Sequence, residues 1–403
     1  MTKDTLLKDL FKAYYDARRN KRGTLNALKF EINYEHKLFE LCEEIRERKY
    51  KLSPSICFIG GQSVRREIFA ANFRDRIVHH LIFNYINPIF EKKFIYDSYS
   101  CRIGKGTSFG IKRVDHFIRS ASENYQKDCW ILKLDIKGYF MAIDRKILFE
   151  KVECRLRTLK NVEFDVDLIL YLIWTVVFND PTKNCRVKGK REDWVGLPKS
   201  KSLFFSGKDK GFPIGNLTSQ LFGNIYLDEF DHFAREQLGI RCYGCYVDDM
   251  VFVHNDKEYL KKVIAKVKTH LNASLGLTLH PKKIYFQHFS KGVSFLGVYI
   301  KPFRIYTGKR IKDNFYKNIF KINTILKQKN KLDRNNYFHV FASVNSYLGT
   351  MKHYQTFRLR KKFLSLLNLK FWEYFSIEEK NLQKLEKLFY LSENGLFINK
   401  VGH

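Results

Sequence analysis

The stretch Tyr243-Gly244-Cys245-Tyr246-Val247-Asp248-Asp249-Met250-Val251-Phe252-Val253-His254 limits the fold of this chain more than any other. β-Formers flank two adjacent carboxylates, with no Gly or Pro between the pair and the apolar run behind it. This pattern predicts a hairpin that lifts both acids to its turn. Neighbouring aspartates at such a tip repel each other and resist joint ionisation unless a cation sits between them. Hard oxygen ligands of this kind suit Mg²⁺, which takes one or two protein carboxylates and completes its shell with water and phosphate. Taken alone, the pair reads equally well as a solvated turn, because Asp is common in turns.

A second stretch supplies a third acid. In Trp130-Ile131-Leu132-Lys133-Leu134-Asp135-Ile136-Lys137-Gly138-Tyr139-Phe140, alternation through Leu132, Leu134 and Ile136 marks a buried strand with Asp135 near its end. A carboxylate there is costly unless it has a charged partner. Asp135 with Asp248 and Asp249 makes three carboxylates from two strand regions, the set that two-metal phosphoryl transfer needs.

The bulk charge points the same way. Among 403 residues, 73 Lys and Arg stand against 42 Asp and Glu, a net +31, which favours a polyanionic partner such as nucleic acid. A basic ribosome-binding or membrane-surface protein would share that charge. Hydrophobic content of 45%, with 16% aromatic residues, excludes a disordered chain and allows two or three compact units. Eight cysteines without framework spacing, behind a polar N-terminus, suit reduced thiols in a cytoplasmic protein. Cys242 and Cys245 form a lone CxxC whose side chains fall on opposite faces of a strand, so a zinc site is not expected. The longest apolar run, Leu168 to Phe178, is too short to span a bilayer and reads as a buried helix, so no membrane association is expected.

In chain order, residues 1 to about 50 read as helical, with the basic knot Arg18-Arg19-Asn20-Lys21-Arg22 as a modest candidate for RNA contact. From Ile56 to Phe69 a hairpin interrupted by Gly60-Gly61 carries Arg65 and Arg66, whose forked donors suit phosphate oxygens. The segment from Phe73 to Ile82 is an amphipathic helix in which His79 and His80 point apart and serve packing or backbone contacts. Arg102 and Lys105, around a Gly-Lys-Gly turn, are further phosphate candidates, although the spacing is not that of a nucleotide-binding P-loop. Residues 151 to 210 read as helical, then loop-like and basic. Gly211 to Leu227 is a Gly-Pro-Gly turn opening a helix, with Asn216 or Thr218 as N-cap. The small residues there allow close approach of a base pair or a backbone. The chain from 309 to 403 reads as helical, aromatic and basic, which suits a nucleic-acid backbone.

Taken in order, Arg65-Arg66, Arg102, Asp135, the Pro213-Ile214-Gly215 to Ser219 turn, Tyr246 to Asp249, Lys283 and Phe295-Leu296-Gly297 resemble the motifs of reverse transcriptases over nearly the whole chain. The resemblance implies an α+β, right-hand polymerase. Its parts would be a helical N-terminal extension (1–50), fingers (51–130), a palm with an antiparallel sheet (131–304, with an insertion at 151–210) and a helical thumb (305–403). It implies that Asp135 and Asp248 ligate two Mg²⁺ ions (Mn²⁺ being an alternative), helped by the Ile136 carbonyl and by Asp249. Phe140 falls at the steric-gate position that excludes a 2′-hydroxyl. Arg66 and Arg102 would hold the triphosphate, Ile214 and Gly215 would lie beside the nascent pair, and Lys283 would protonate the leaving pyrophosphate.

Within the family, Ile214-Gly215-Asn216-Leu217-Thr218-Ser219-Gln220 departs from group II intron enzymes, which usually have Gln before that Gly and Ser-Pro in place of Ser-Gln. It resembles the enzymes of diversity-generating retroelements, in which the apolar residue accompanies low fidelity opposite template adenine. Antiphage defence reverse transcriptases share much of the pattern. The expected partners are therefore an RNA template, such as a dedicated noncoding RNA, the DNA product, deoxynucleotides, and an accessory protein or second polymerase subunit. The stretch after Gly297 has room for a thumb but not for an added RNase H, maturase or endonuclease domain. Rival readings are a catalytically silent RNA-binding scaffold, an RNA-dependent RNA polymerase, and a template-independent or protein-primed polymerase.

Overall fold

The computed structural model describes residues 2–19, 21–61, 65–328, 332–378, 380–391 and 397–399. Asn20 of the basic knot, residues 62–64 between the two strands of the expected hairpin, and residues 329–331, 379, 392–396 and 400–403 of the expected thumb lie outside the described residues. The chain divides into two compact units. One comprises the chain up to Phe117 and Leu132–Phe286; the other comprises Ile118–Ile131 and the chain from Gln287 onward.

The first unit opens with helices α1 (Lys3–Arg18), α2 (Leu25–Glu31) and α3 (Tyr34–Arg46). The Thr2 hydroxyl accepts from the Thr5 N–H at 3.3 Å and starts α1, which buries Leu6, Leu10, Ala13, Tyr14 and Ala17 along one stripe. The hairpin of β1 (Ile56–Gly60) and β2 (Arg66–Ala70) is antiparallel, with Gly60 opposite Arg66. Helix α4 (Phe73–Glu91) buries Asp75, which accepts from the Tyr50 hydroxyl at 2.8 Å and the Ser53 N–H at 2.9 Å. His79 is buried on the same helix and meets the Thr218 hydroxyl at 2.7 Å.

After α5 (Thr107–Ala121) come β3 (Trp130–Asp135), the short α6 (Tyr139–Ala142), α7 (Arg145–Arg157) and α8 (Val166–Phe178). The Asp165 carboxylate caps α8, the expected buried helix, by accepting from the Leu168 N–H at 2.9 Å. Strand β4 (Arg186–Val187), in the basic stretch, pairs in parallel with β1. Helix α9 (Leu217–His232) is buried on most of its circumference. It leads to β5 (Tyr243–Tyr246), β6 (Asp249–His254), α10 (Lys257–Leu275) and β7 (Tyr285–His288). The sheet order is β5–β6–β3–β7, which puts the predicted hairpin next to the strand that carries Asp135.

In the second unit, β8 (Val293–Phe295), β9 (Val298–Lys301) and β10 (Arg304–Thr307) form an antiparallel sheet. Helices α11 (Lys309–Gln328), α12 (Arg334–Met351) and α13 (Phe357–Leu364) share a core that includes Phe315, Ile322, Tyr337, Val344 and Phe363. The expected helix does not run to the C-terminus. After Leu364 the chain forms β11 (Phe375–Ile377) with β12 (Leu385–Lys387), then β13 (Phe389–Leu391) with β14 (Phe397–Asn399). Three-residue strands are too short for a period-two pattern to show. Among the described residues no helix is long and apolar enough to cross a membrane.

Candidate active site

Tyr246 and Asp249 close the β5–β6 hairpin, leaving Val247 and Asp248 as its two-residue loop. Val247 has φ 55°, a left-handed conformation that a β-branched residue rarely adopts. Two-residue turns of this kind normally place Gly at that position, and the strain here is of order 1–3 kcal/mol. It fixes the backbone on which Asp248 sits.

The Asp248 carboxyl is pushed up to about 6, first by burial and then by the charges of Asp249 and Asp135, with Lys283 acting in the opposite direction. Asp135, more than 100 residues earlier in the sequence, thus acts with Asp249 on Asp248. Asp135 is largely buried and accepts from Lys283 Nζ at 2.8 Å. Asp249 Oδ1 lies 3.0 Å from Lys133 Nζ on β3. Lys283 arrives because its loop is laced to the end of β3. Asp135 O accepts from the His280 N–H at 2.8 Å, Thr278 O accepts from the Lys137 N–H at 2.9 Å, and Ile136 bridges Leu279.

Hard carboxylate oxygens in a shared negative field are the donor set that a divalent cation relieves, so these residues fit such an ion in chemistry. Two of the carboxylates are met by lysines, and among the described residues no three His, Cys, Asp or Glu side chains are arranged to surround one ion.

Beneath the hairpin lies a residue without a motif, Asp231 of α9. It accepts from the Tyr243 hydroxyl at 2.5 Å and from Cys245 Sγ at 3.3 Å, and burial pushes it up to about 7. The backbone of β5 is held from the other side, where Asp97 O accepts from the Cys245 N–H and Cys245 O accepts from the Tyr99 N–H, each at 2.9 Å. Cys242 and Cys245 are free thiols.

Gly138 caps α6 at φ 58°, and a Cβ there would overlap the Ser200 carbonyl oxygen. Phe140 follows on α6. Its ring and Ile214 pack on one cluster of Cys57, Phe69, Met141 and Leu203, which brings the gate position and the Ile-Gly turn together on the β1–β2 hairpin. Ile214 O accepts from the Phe69 N–H at 2.9 Å, and a Cβ on Gly215 would stand 3.1 Å from Phe69 O. Of the two close approaches expected at that turn, the structure shows the backbone. Asn216 occupies the N-cap position of α9, but its side chain accepts instead from the Ala71 N–H at 3.3 Å.

Arg102 is engaged within the protein. Its Nε donates to Glu91 at 2.9 Å, its Nη1 donates to the carbonyls of Ile95 and Ser98 at 2.7 and 3.0 Å, and its Nη2 meets Glu91 at 2.9 Å. Lys105 donates to Tyr96 O at 2.8 Å and lies over the Tyr96 ring. Arg65 precedes β2 and donates to Val195 O at 2.8 Å, whereas Arg66 opens the strand and is exposed. In the basic knot, Arg18 pairs with Glu31 at 2.5 Å and Arg19 lies 3.6 Å from Asp16.

This fold, with Asp135 at the end of one strand and Asp248 and Asp249 at the turn of the hairpin beside it, is of the polymerase type. Residues 60–300 match the family model described as reverse transcriptase (RNA-dependent DNA polymerase), and the chain belongs to that family. Over 256 residues it is 24% identical to Protein YkfC of Escherichia coli (strain K12), covering 56% of this chain and 60% of that protein. The chain thus spans less than two thirds of the length of that relative. Among solved structures it is similar to apo telomerase from Candida tropicalis, with a TM-score of 0.47 and 12% identity over 78% of this chain and 60% of that one. It is also similar to telomerase from Candida albicans in complex with a TWJ fragment of telomeric RNA, with a TM-score of 0.42 and 12% identity over 85% of this chain and 65% of that one.

Proposed function

We propose that the chain is an RNA-directed DNA polymerase that makes cDNA from a dedicated RNA template in a bacterial retroelement or antiphage defence system. The observation that carries this reading is the convergence of Asp135 and Asp249 on Asp248, whose carboxyl is held above its ordinary range by burial first and then by their charges. Asp135 and Asp248, with the Ile136 carbonyl and Asp249 assisting, would hold Mg²⁺ or Mn²⁺, which supplies activation of a 3′-hydroxyl and neutralisation of the triphosphate. Lys283 stands at Asp135 with a proton to give to the leaving pyrophosphate. Exposed Arg66 offers a forked donor to the triphosphate. Phe140 fills the space a 2′-hydroxyl would need, and Ile214 and Gly215 border the nascent pair.

Extension of a primer on an RNA template tests the reading. Asp248→Asn should abolish extension while RNA binding survives; retained activity would remove Asp248 from the site. A silent scaffold would bind RNA equally well in both forms and extend in neither. Extension without template would select the template-independent alternative, and ribonucleotide use equal to deoxynucleotide use would select an RNA polymerase. Sequencing the nucleic acid that co-purifies with the protein separates the biological roles. One abundant structured RNA with a repeat-like product indicates defence, and adenine-mutated copies of a coding repeat indicate diversification.

A further inference from the structure

The segment from Lys183 to Lys210 carries nine lysines and arginines against three acids. Eight of those cations are exposed, and among the described residues none of the nine forms an ion pair with a carboxylate. The segment is nevertheless held firmly. Buried Glu67 on β2 accepts from Trp194 Nε1 at 2.8 Å, from the Ser202 hydroxyl at 2.8 Å and from the Leu203 N–H at 2.6 Å. Arg65 adds its bond to Val195, and Ser200 lies directly on Gly138, three residues after Asp135 and two before Phe140. At the end of this pinned stretch two adjacent rings face water: Phe205 is 62% exposed and Phe204 43%. Phe204 leans on Phe69, with ring centroids 5.7 Å apart, and Lys199 lies 5.4 Å from the centroid of the Phe205 ring.

We infer that Phe204 and Phe205, with Lys199 and Lys201, form a stacking platform for a single-stranded stretch of nucleic acid beside the catalytic strand. Exposed adjacent rings are unfavourable in water unless something covers them, and the unpaired cations select a polyanion. Every unstacked base presents a π-face to such rings, at about 1–3 kcal/mol per base, while the flanking ammonium groups follow the phosphates. A duplex keeps its bases stacked and has no face to offer, so the occupant is single-stranded. Pinning by Glu67 gives the platform a fixed position relative to Asp135 and Phe140. A base seated there belongs to the strand not yet copied; that last assignment rests on the polymerase reading, whereas binding to the platform does not.

The full-length chain is titrated with a labelled single-stranded RNA 12-mer of uridine and, separately, with a blunt RNA–DNA duplex. Phe205→Ala should weaken the single strand about tenfold and leave the duplex unchanged, with Phe205→Tyr restoring affinity. Lys199→Ala with Lys201→Ala should lower the slope of log affinity against log salt by about 1.4 for the single strand. Unchanged single-strand affinity in Phe205→Ala, or an equal loss on the duplex, overturns the platform. So does a change confined to self-association in sedimentation, which would make the rings a protein contact. A native chain that extends no primer on any template, yet still loses the single strand through Phe205→Ala, refutes only the polymerase reading.

Discussion

Lys283 reaches across 148 positions of sequence to donate to Asp135 Oδ2 at 2.8 Å, and in doing so it neutralises the carboxylate assigned to the metal ions. The two roles compete. Bound to Asp135, the ammonium opposes cation entry; released, it is free to act as an acid. Lys283→Gln should therefore move two quantities in opposite directions. The single-turnover extension rate should fall by about 10²-fold or more, the usual worth of a positioned proton donor. The Mg²⁺ concentration for half-maximal rate should fall as well, because Asp135 is left uncompensated. A variant that needs more Mg²⁺ would show that Lys283 assists the metal.

Gly223 of α9 lies against Phe140, the proposed gate. A Cβ at that position would stand 3.2 Å from Phe140 Cε1 and 3.4 Å from Cζ, so the ring would have to move by a few tenths of an ångström. Gly223→Ala should lower discrimination between deoxynucleotides and ribonucleotides several-fold with little loss of deoxynucleotide extension. Phe140→Ala should lower discrimination far more. Competition assays with the two nucleotide types on one template measure both. Unaltered discrimination in Phe140→Ala would remove Phe140 from the gate.

The hairpin with its two acids was legible because β-branched and aromatic residues surround the pair and nothing interrupts Met250 to Val253, all of which are buried. Asp135 was legible by contrast, as a carboxylate at the end of an apolar alternation. Lys283 was not legible from local pattern, since an ion pair across 148 positions leaves no trace in either neighbourhood, and only the family resemblance singled it out. The ion pair of Arg102 was not legible, because nothing beside the Gly-Lys-Gly turn announces Glu91 as its partner. Asp231 sits in Leu-Asp-Glu-Phe-Asp-His, which reads as a solvated helix face. It is buried because α9 is covered on most sides, a tertiary fact. The left-handed Val247 runs against its own side-chain preference, so propensity argues for the wrong residue at that position.

Val247→Gly tests whether that conformation stores strain. Release of the left-handed valine is worth about 1–3 kcal/mol, offset by about 0.5–1 kcal/mol for the extra freedom of glycine in the unfolded chain. The variant should unfold at a higher urea concentration, by about 1 kcal/mol on these magnitudes. It should also extend primers several-fold more slowly, because Asp248 loses its fixed backbone. A lower urea midpoint would mean that packing of the Val247 side chain outweighs the strain.

The buried anchor beneath the hairpin gives stability a pH dependence of definite sign. Asp231 is pushed up to about 7 by burial, against the hydrogen bonds from Tyr243 and Cys245; Asp228 adds to the rise and His232 opposes it. Because the folded-state value lies above the ordinary value of 3.8, the folded protein holds a proton there that the unfolded chain releases. The resulting stabilisation is fully present below the ordinary value and is lost as pH rises through about 7. Asp231→Asn removes this titration while keeping an oxygen for the Tyr243 hydroxyl, and Asp228 and His232 titrate in both proteins. The stability of the native protein relative to Asp231→Asn should therefore be greatest near pH 4 and decline by a few kcal/mol towards pH 8. Urea midpoints at pH 4.5, 5.5, 6.5 and 7.5 measure the difference. A gap that stays constant, or widens with rising pH, would mean that Asp231 is ionised throughout and that the hairpin rests on a charged anchor.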